Sequence, residues 1–213
     1  DGMTKGKPAL RSAGSIAFGP EGILFIADAK SASIHAIATG DTKASKASPV
    51  KLKAINTKIA GMLGTTADEI LIRDIAVNPI SKHTYLSLSR GRGPSAIPVI
   101  VRVEENDKLI VLDFNHVENS TAILPDAPED KLMGQGRRSS NKRLESITDI
   151  AFLDDRVLIA GISNEEFAST LRGIPFPFKS VEKGTSVEIY HGAHGRFETK
   201  SPVRTFVPIN IGT

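Results

Sequence analysis

The sequence predicts an all-β chain, and three observations carry that prediction. A short hairpin pattern recurs three times along 213 residues, β-branched and large apolar residues fill the strand-like runs, and Gly, Pro, Asn and Asp fill the gaps between them. Hairpin units stacked around a shared axis are the blades of a propeller. The expected architecture is therefore an incomplete β-propeller of about three blades plus a started fourth, in a single domain over 1–213 with short helical insertions.

The first unit reads Ser15-Ile16-Ala17-Phe18, then the turn Gly19-Pro20-Glu21-Gly22, then Ile23-Leu24-Phe25-Ile26-Ala27-Asp28. The second reads Asp74-Ile75-Ala76-Val77, a turn over 78–83, and Thr84-Tyr85-Leu86-Ser87-Leu88-Ser89. The third reads Asp149-Ile150-Ala151-Phe152, a turn at Leu153-Asp154-Asp155, and Arg156-Val157-Leu158-Ile159-Ala160-Gly161. The turn residues supply the backbone angles and local hydrogen bonds that a hairpin needs. Further strands are expected at Ser33–Ala38 in the first unit, Val99–Val103 and Leu109–Leu112 in the second, and Ser186–Tyr190 and Arg204–Val207 in the third. The blades accordingly fall near 14–55, 73–114 and 147–207. A β-sandwich would also accommodate this many strands, but the recurring hairpin favours the propeller.

Ile16 to Ile75 is 59 residues and Ile75 to Ile150 is 75, whereas a bare blade takes about 40–50, so each unit carries an insertion. In the first insertion Val50–Ile55 reads as an outer strand. Asn56–Gly64 reads as a short helix with an Asn cap and a Gly stop, and Thr66-Ala67-Asp68-Glu69 has the spacing of a capping box. The second insertion, about 115–145, reads as a loop with a helical turn near Asp130. In the third, 164–184, Pro175 and Pro177 exclude a regular helix and a central strand. The run Val207-Pro208-Ile209-Asn210-Ile211 reads as a new strand. Because three blades do not close a ring of four to eight, the remaining part of the propeller is the expected partner, as a separate chain, a second copy or a missing segment.

The pattern from Ile16 to Asp28 resembles the repeat of the NHL and SMP-30/gluconolactonase-like propellers, whose strand–turn–strand unit ends in a small acidic step such as Ala27-Asp28. The likeness is weaker at 74–89 and weaker again at 149–161. It implies a propeller fold. The family includes sugar lactonases with a divalent cation in the central channel as well as non-enzymatic binding platforms. The lactonase ligand set does not map onto this sequence residue by residue, so that activity does not carry over.

Composition narrows the function classes. Twenty-seven basic and 24 acidic residues give a net charge of +3, without the aromatic-interleaved basic stretch of a nucleic-acid binder. The absence of cysteine excludes disulfides, thiolate metal sites and cysteine nucleophiles. No run of about 18 apolar residues predicts a membrane helix. The opening at Asp1 is read as the product of leader removal, which puts the expected location in the periplasm or outside the cell.

The densest cluster of chemistry-bearing residues is Tyr190-His191-Gly192-Ala193-His194-Gly195-Arg196-Phe197-Glu198. His191 and His194 are candidate metal or haem ligands, and Arg196 is a candidate binder of a cofactor's carboxylate or phosphate. The competing reading is a glycine-rich connector. Asp28, Asp74 and Asp149 at strand ends either converge on a cation through hard oxygen ligands or, as the better reading, bond to turn backbone. Arg90 and Arg92, and the group Arg137, Arg138, Lys142 and Arg143, read as solvated loops, and Asn119-Ser120-Thr121 is a sequon that chance would supply. The serine-hydrolase elbow, the phosphate-cradling loop, the dinucleotide glycine pattern and the zincin motif are all absent. Two readings result: an extracytoplasmic propeller that binds or scaffolds an undetermined ligand, or a metal- or haem-dependent enzyme or redox protein with its site in the channel. No catalytic residue is assigned.

Overall fold

The computed structural model describes residues 2–209 apart from 46–49, 137–138, 165–168, 180, 182–183, 188, 192–194 and 199–200; for 189–191 and 196–198 it describes the backbone. Strands come first in chain order as β1 (Thr4–Gly6), β2 (Ile16–Phe18), β3 (Ile23–Asp28) and β4 (Ser33–Ala38), followed by helix α1 (Ile55–Leu63). Then come β5 (Ile70–Val77), β6 (Thr84–Arg90), β7 (Ile97–Val103), β8 (Leu109–Val111) and β9 (Val117–Ile123). The chain continues with β10 (Leu132–Met133), β11 (Ser140–Asn141), β12 (Asp149–Leu153), β13 (Arg156–Ile162), β14 (Ser169–Pro175), β15 (Thr185–Ser186), β16 (Ile189–His191) and β17 (Arg196–Glu198). Among the described residues the chain is all-β apart from α1 and short 3₁₀ turns, and no helix is long and apolar enough to cross a membrane.

The three recurring hairpins form where the pattern puts them, as β2–β3, β5–β6 and β12–β13, all antiparallel. Each turn has its own chemistry. Glu21 and Gly22 take positive φ in the first. The Asn78 side chain accepts from the Ile80 amide at 2.9 Å in the second. In the third, Asp154 and Asp155 both take positive φ between the paired residues Leu153 and Arg156, the geometry of a two-residue hairpin loop.

Each hairpin grows outward into a sheet. The orders are β1-β9-β4-β3-β2, β5-β6-β7-β8 and β12-β13-β14-β15, with β10-β11 and β16-β17 as separate two-stranded ribbons. The first strand of each hairpin is thus a sheet edge, and these three edges lie side by side, β2 between β5 and β12. The sheets pack face to face. Phe25, Ile34 and Ala36 of the first sheet meet Ile150, Val157, Ile159 and Ile174 of the third, with Phe25 stacked on Phe152 at 5.3 Å and edge-on to Phe176 at 5.0 Å. On its other face the first sheet packs Ile16, Leu24, Ile26 and Ile37 against Tyr85 and Ile100 of the second. The far side of the second sheet is covered by α1 through Ile59 and Ala60 on Leu86, Leu88, Val101 and Val103.

Five expectations are corrected. Val50–Lys53 forms no strand, and α1 begins at Ile55 after Ala54 in a left-handed conformation rather than at an Asn56 cap; Gly64 closes it as expected. The first sheet takes its outer strand instead from β9, in a segment read as loop, which pairs along Ser33–Ile37. Propensity was overridden there by a partner some 80 residues away, and Asn119 of the sequon lies in this strand. The prolines do not exclude a central strand: β14 runs between β13 and β15, and Pro175 is its last residue. Finally, Arg204–Val207 pairs in no sheet, and β14 is the third strand of the third unit.

Candidate functional site

The aligned hairpins make Ser15, Asp74 and Asp149 equivalent, and so also the residues before them, Gly14, Arg73 and Thr148. Those three residues line one cleft of about 700 Å³. Its floor is the start of β2, with Arg11, Ser12, Ala13 and Ser15, and the start of β12, with Ile147. Lys30 in the β3–β4 turn, Gly93 and Pro94 of the β6–β7 loop, and Asp130, Leu132, Asn141 and Leu144 around the β10–β11 ribbon form its walls.

Arg73 reaches the cleft because of a register break. Ile72 pairs with Leu88 and Asp74 with Ser87, leaving Arg73 as the extra residue of a β-bulge. A bulge bends the strand and re-aims the side chain of its unpaired residue. Arg73 is exposed and has no hydrogen-bond or ion-pair partner among the described residues. Lys30 Nζ donates to the Pro94 carbonyl at 3.0 Å, and Arg11 stands 3.9 Å from Asp130 across solvent-exposed side chains. Among the described residues the cleft therefore holds three cations against one carboxylate, beside the apolar surface of Ala13, Leu132, Leu144 and Ile147.

Of the three strand-end aspartates, Asp28 bonds to turn backbone through the Ser31 amide, as the better reading held, whereas Asp74 and Asp149 bond the amide of the next residue and segments of chain far away instead of turn backbone. Asp28 is fully buried and accepts from the Arg11 amide at 2.7 Å, the Ser12 hydroxyl at 2.5 Å, and the amide and hydroxyl of Ser31. His35 Nε2 lies 3.6 Å away, and its Nδ1 is 3.0 Å from the Thr121 hydroxyl. Burial by itself pushes the Asp28 pKa up; the neighbouring His35 and the bonds from Ser12, Ser31 and the Arg11 amide outweigh it and bring it down from 3.8 to about 2. Asp74 accepts from the amides of Ile16 and Ile75, and Asp149 from those of Ile150 and Phe206. Among the described residues no group of three His, Asp or Glu lies close enough to hold a metal ion, so the aspartates do not converge.

A second carboxylate network pins the first sheet to the second. Asp41 accepts from Tyr85 at 2.8 Å, Ser81 at 2.6 Å, and Asn78, and lies 3.0 Å from His83 Nδ1. Burial, with the Asp41 carboxylate adding to it, pushes Tyr85 up to about 12, so its hydroxyl stays protonated and donates. Burial also works against the Asp41 charge, but the bonds from Ser81, Tyr85 and His83 hold its pKa below the ordinary value. This network lies away from the cleft lining.

His194 lies outside the described residues, and so do the side chains of His191 and Arg196; their backbones face each other as a pair in the β16–β17 ribbon. Arg137 and Arg138 also lie outside them. Of the other loop cations, Arg92 donates to the Asp68 carbonyl and Lys142 to Glu145, so both are spent on local structure. The cleft cations Arg11, Lys30 and Arg73 were not singled out from sequence. The available signal was the repeat itself, in which Arg73 replaces Gly14 and Thr148 at equivalent positions. No protein-family model matches this sequence, and neither a characterised protein nor a solved structure matches it.

Proposed function

We propose that this chain is a β-propeller binding module, whose three sheets are neighbouring blades and whose cleft over the leading strands takes a small-molecule ligand. The observation that carries this reading is the meeting of Gly14, Arg73 and Thr148, one from each repeat, around a single cavity. Rotational repetition brings equivalent residues to one axis, and ligand sites favour such concave convergence points. The likeness of Ile16–Asp28 to the NHL and SMP-30 hairpin supports the same fold.

A repeated contact also supports it. Asp74 of the second sheet accepts from the Ile16 amide of the first at 2.8 Å. Ser15, at the equivalent position of the first sheet, donates to the Thr148 carbonyl beside the third at 3.3 Å. Asp149 of the third accepts from the Phe206 amide at 3.2 Å and the Thr205 hydroxyl at 2.6 Å. Thr205 and Phe206 thus stand to the third sheet as the leading strand of one sheet stands to its neighbour, in the position of a fourth blade's first strand. At the other end, Ile16 and Ile150 are 5% and 6% exposed between sheets while their equivalent Ile75 is 61% exposed. Both flanks therefore suit further blades, and the partner in this reading is the remainder of the ring.

The test uses 8-anilinonaphthalene-1-sulfonate, whose fluorescence rises in apolar clefts. Saturable one-to-one enhancement is expected, and Thr148→Trp, which fills the cleft, should abolish it without altering the far-ultraviolet spectrum. Enhancement that does not saturate, or that survives in Thr148→Trp, overturns the reading.

A further inference from the structure

We infer that the cleft is an anion site, selecting a small molecule with one carboxylate, sulfonate or phosphate head and an apolar body. The inference rests on the cleft being a ligand site and adds the class of ligand.

The charge count argues first. Among the described residues Arg11, Lys30 and Arg73 line the cleft with one carboxylate, Asp130, which is already the neighbour of Arg11. Asp28 and Asp74 lie nearby but do not line it, and their oxygens are taken by backbone amides, hydroxyls and, for Asp28, the neighbouring His35. A cation ligand would find one carboxylate and three repelling charges.

Donor availability argues second. Arg73 has no partner among the described residues and is carried into the cleft by the bulge between Ile72 and Asp74. An unspent guanidinium offers a planar fork of donors that matches two oxygens of an anion. Lys30 gives one bond to the Pro94 carbonyl, and an ammonium has three donors. The hydroxyls of Ser12, Ser15 and Thr148 also line the space but already donate to Asp28, the Thr148 carbonyl and the Val203 carbonyl, so Arg73 and Lys30 carry the donor supply.

Shape and polarity argue third. Ala13, Leu132, Leu144 and Ile147 add apolar surface to the same cleft, which a compact inorganic anion would leave uncovered. A volume of about 700 Å³ takes a molecule well beyond phosphate or sulfate in size. Among the described residues no aromatic side chain lines the cleft, so they offer stacked bases no platform there.

The experiment compares two dyes of like shape, 8-anilinonaphthalene-1-sulfonate and its uncharged relative N-phenyl-1-naphthylamine, on the whole chain at low ionic strength. The sulfonate is expected to bind at least about tenfold tighter than the neutral dye, the scale of one charge-assisted hydrogen bond. Arg73→Ala should weaken the sulfonate by about tenfold and leave the neutral dye unchanged, and added salt should weaken the sulfonate alone. Arg11→Ala repeats the test from a different element, so a folding defect in either variant leaves the other decisive. Equal affinity of the two dyes, or sulfonate binding indifferent to both substitutions, overturns the anion assignment while leaving the cleft a ligand site. Saturation by neither dye removes the cleft reading itself and the anion assignment with it.

Discussion

Asp28 is held ionised in the interior by donors that were placed around it by the fold. A carboxylate with no access to water is destabilising unless it is hydrogen-bonded on most of its lone pairs. Here the Arg11 amide, Ser12, Ser31 and the neighbouring His35 meet it from two segments of chain. Its native pKa of about 2 lies below the unfolded value of 3.8, so the stabilisation is present above the unfolded pKa and is lost as pH falls toward 2. The linked stability is about 2 kcal/mol. Urea unfolding of wild type and Asp28→Asn should therefore differ most near neutral pH and converge between pH 4 and 2. A gap independent of pH would show that Asp28 has the same pKa in the folded and unfolded chain, and a gap that narrows as pH rises would show that it is protonated in the native state. That Asp28 bonds to backbone was legible from its place at a strand end. That Arg11, Ser12 and His35 supply the other partners was not, because His35 and Ser12 belong to different strand neighbourhoods.

The hairpins carry the legible part of the elements. Their turns are chemically explicit, with Asp154-Asp155 forming a two-residue loop and Gly22 taking φ +71 where an added Cβ would meet the Asp41 carbonyl at 2.9 Å. The bulge at Arg73 was not legible, since nothing in Ile70–Val77 marks where the pairing with β6 slips. It is a property of two strands read together. Close approach between elements is likewise hidden. Gly161 in β13 sits where a Cβ would lie 2.1 Å from the Ser146 carbonyl, the backbone leading into β12. Gly161→Ala is expected to cost about 3 kcal/mol, because backbone on both sides leaves no flexible group to yield. Denaturant unfolding measures it, and a loss under about 0.5 kcal/mol, the level of a neutral surface substitution, would show that the β12–β13 hairpin shifts freely against the strand before it.

At the scale of the molecule the three sheets bury two apolar interfaces and leave two flanks open. On one flank Ile75 and Val77 of the edge strand β5 are exposed; on the other, Val207 is 78% and Ile209 73% exposed. Exposed apolar sheet flanks and unpaired strand edges promote association. In isolation these 213 residues are expected to self-associate with concentration in sedimentation velocity. Ile75→Lys combined with Val207→Lys should shift the chain toward monomer with little change in melting temperature. A wild-type chain that sediments as a single monomer at every concentration would show that the flanks are self-sufficient and would weaken the case for further blades.

The all-β class, the position of three hairpins and most of their turns follow from local signals, because strand period, β-branched content and turn residues are properties of neighbouring residues in the chain. Such signals leave open which segment completes the first sheet, where Arg73 points, and which charges share a cleft. Those follow from pairing between residues far apart, as β4 with β9 and β5 with β6, and from the lateral packing of β5, β2 and β12. Distant partners are chosen by the burial and hydrogen bonding of the whole chain, and that choice is made only when the tertiary structure forms.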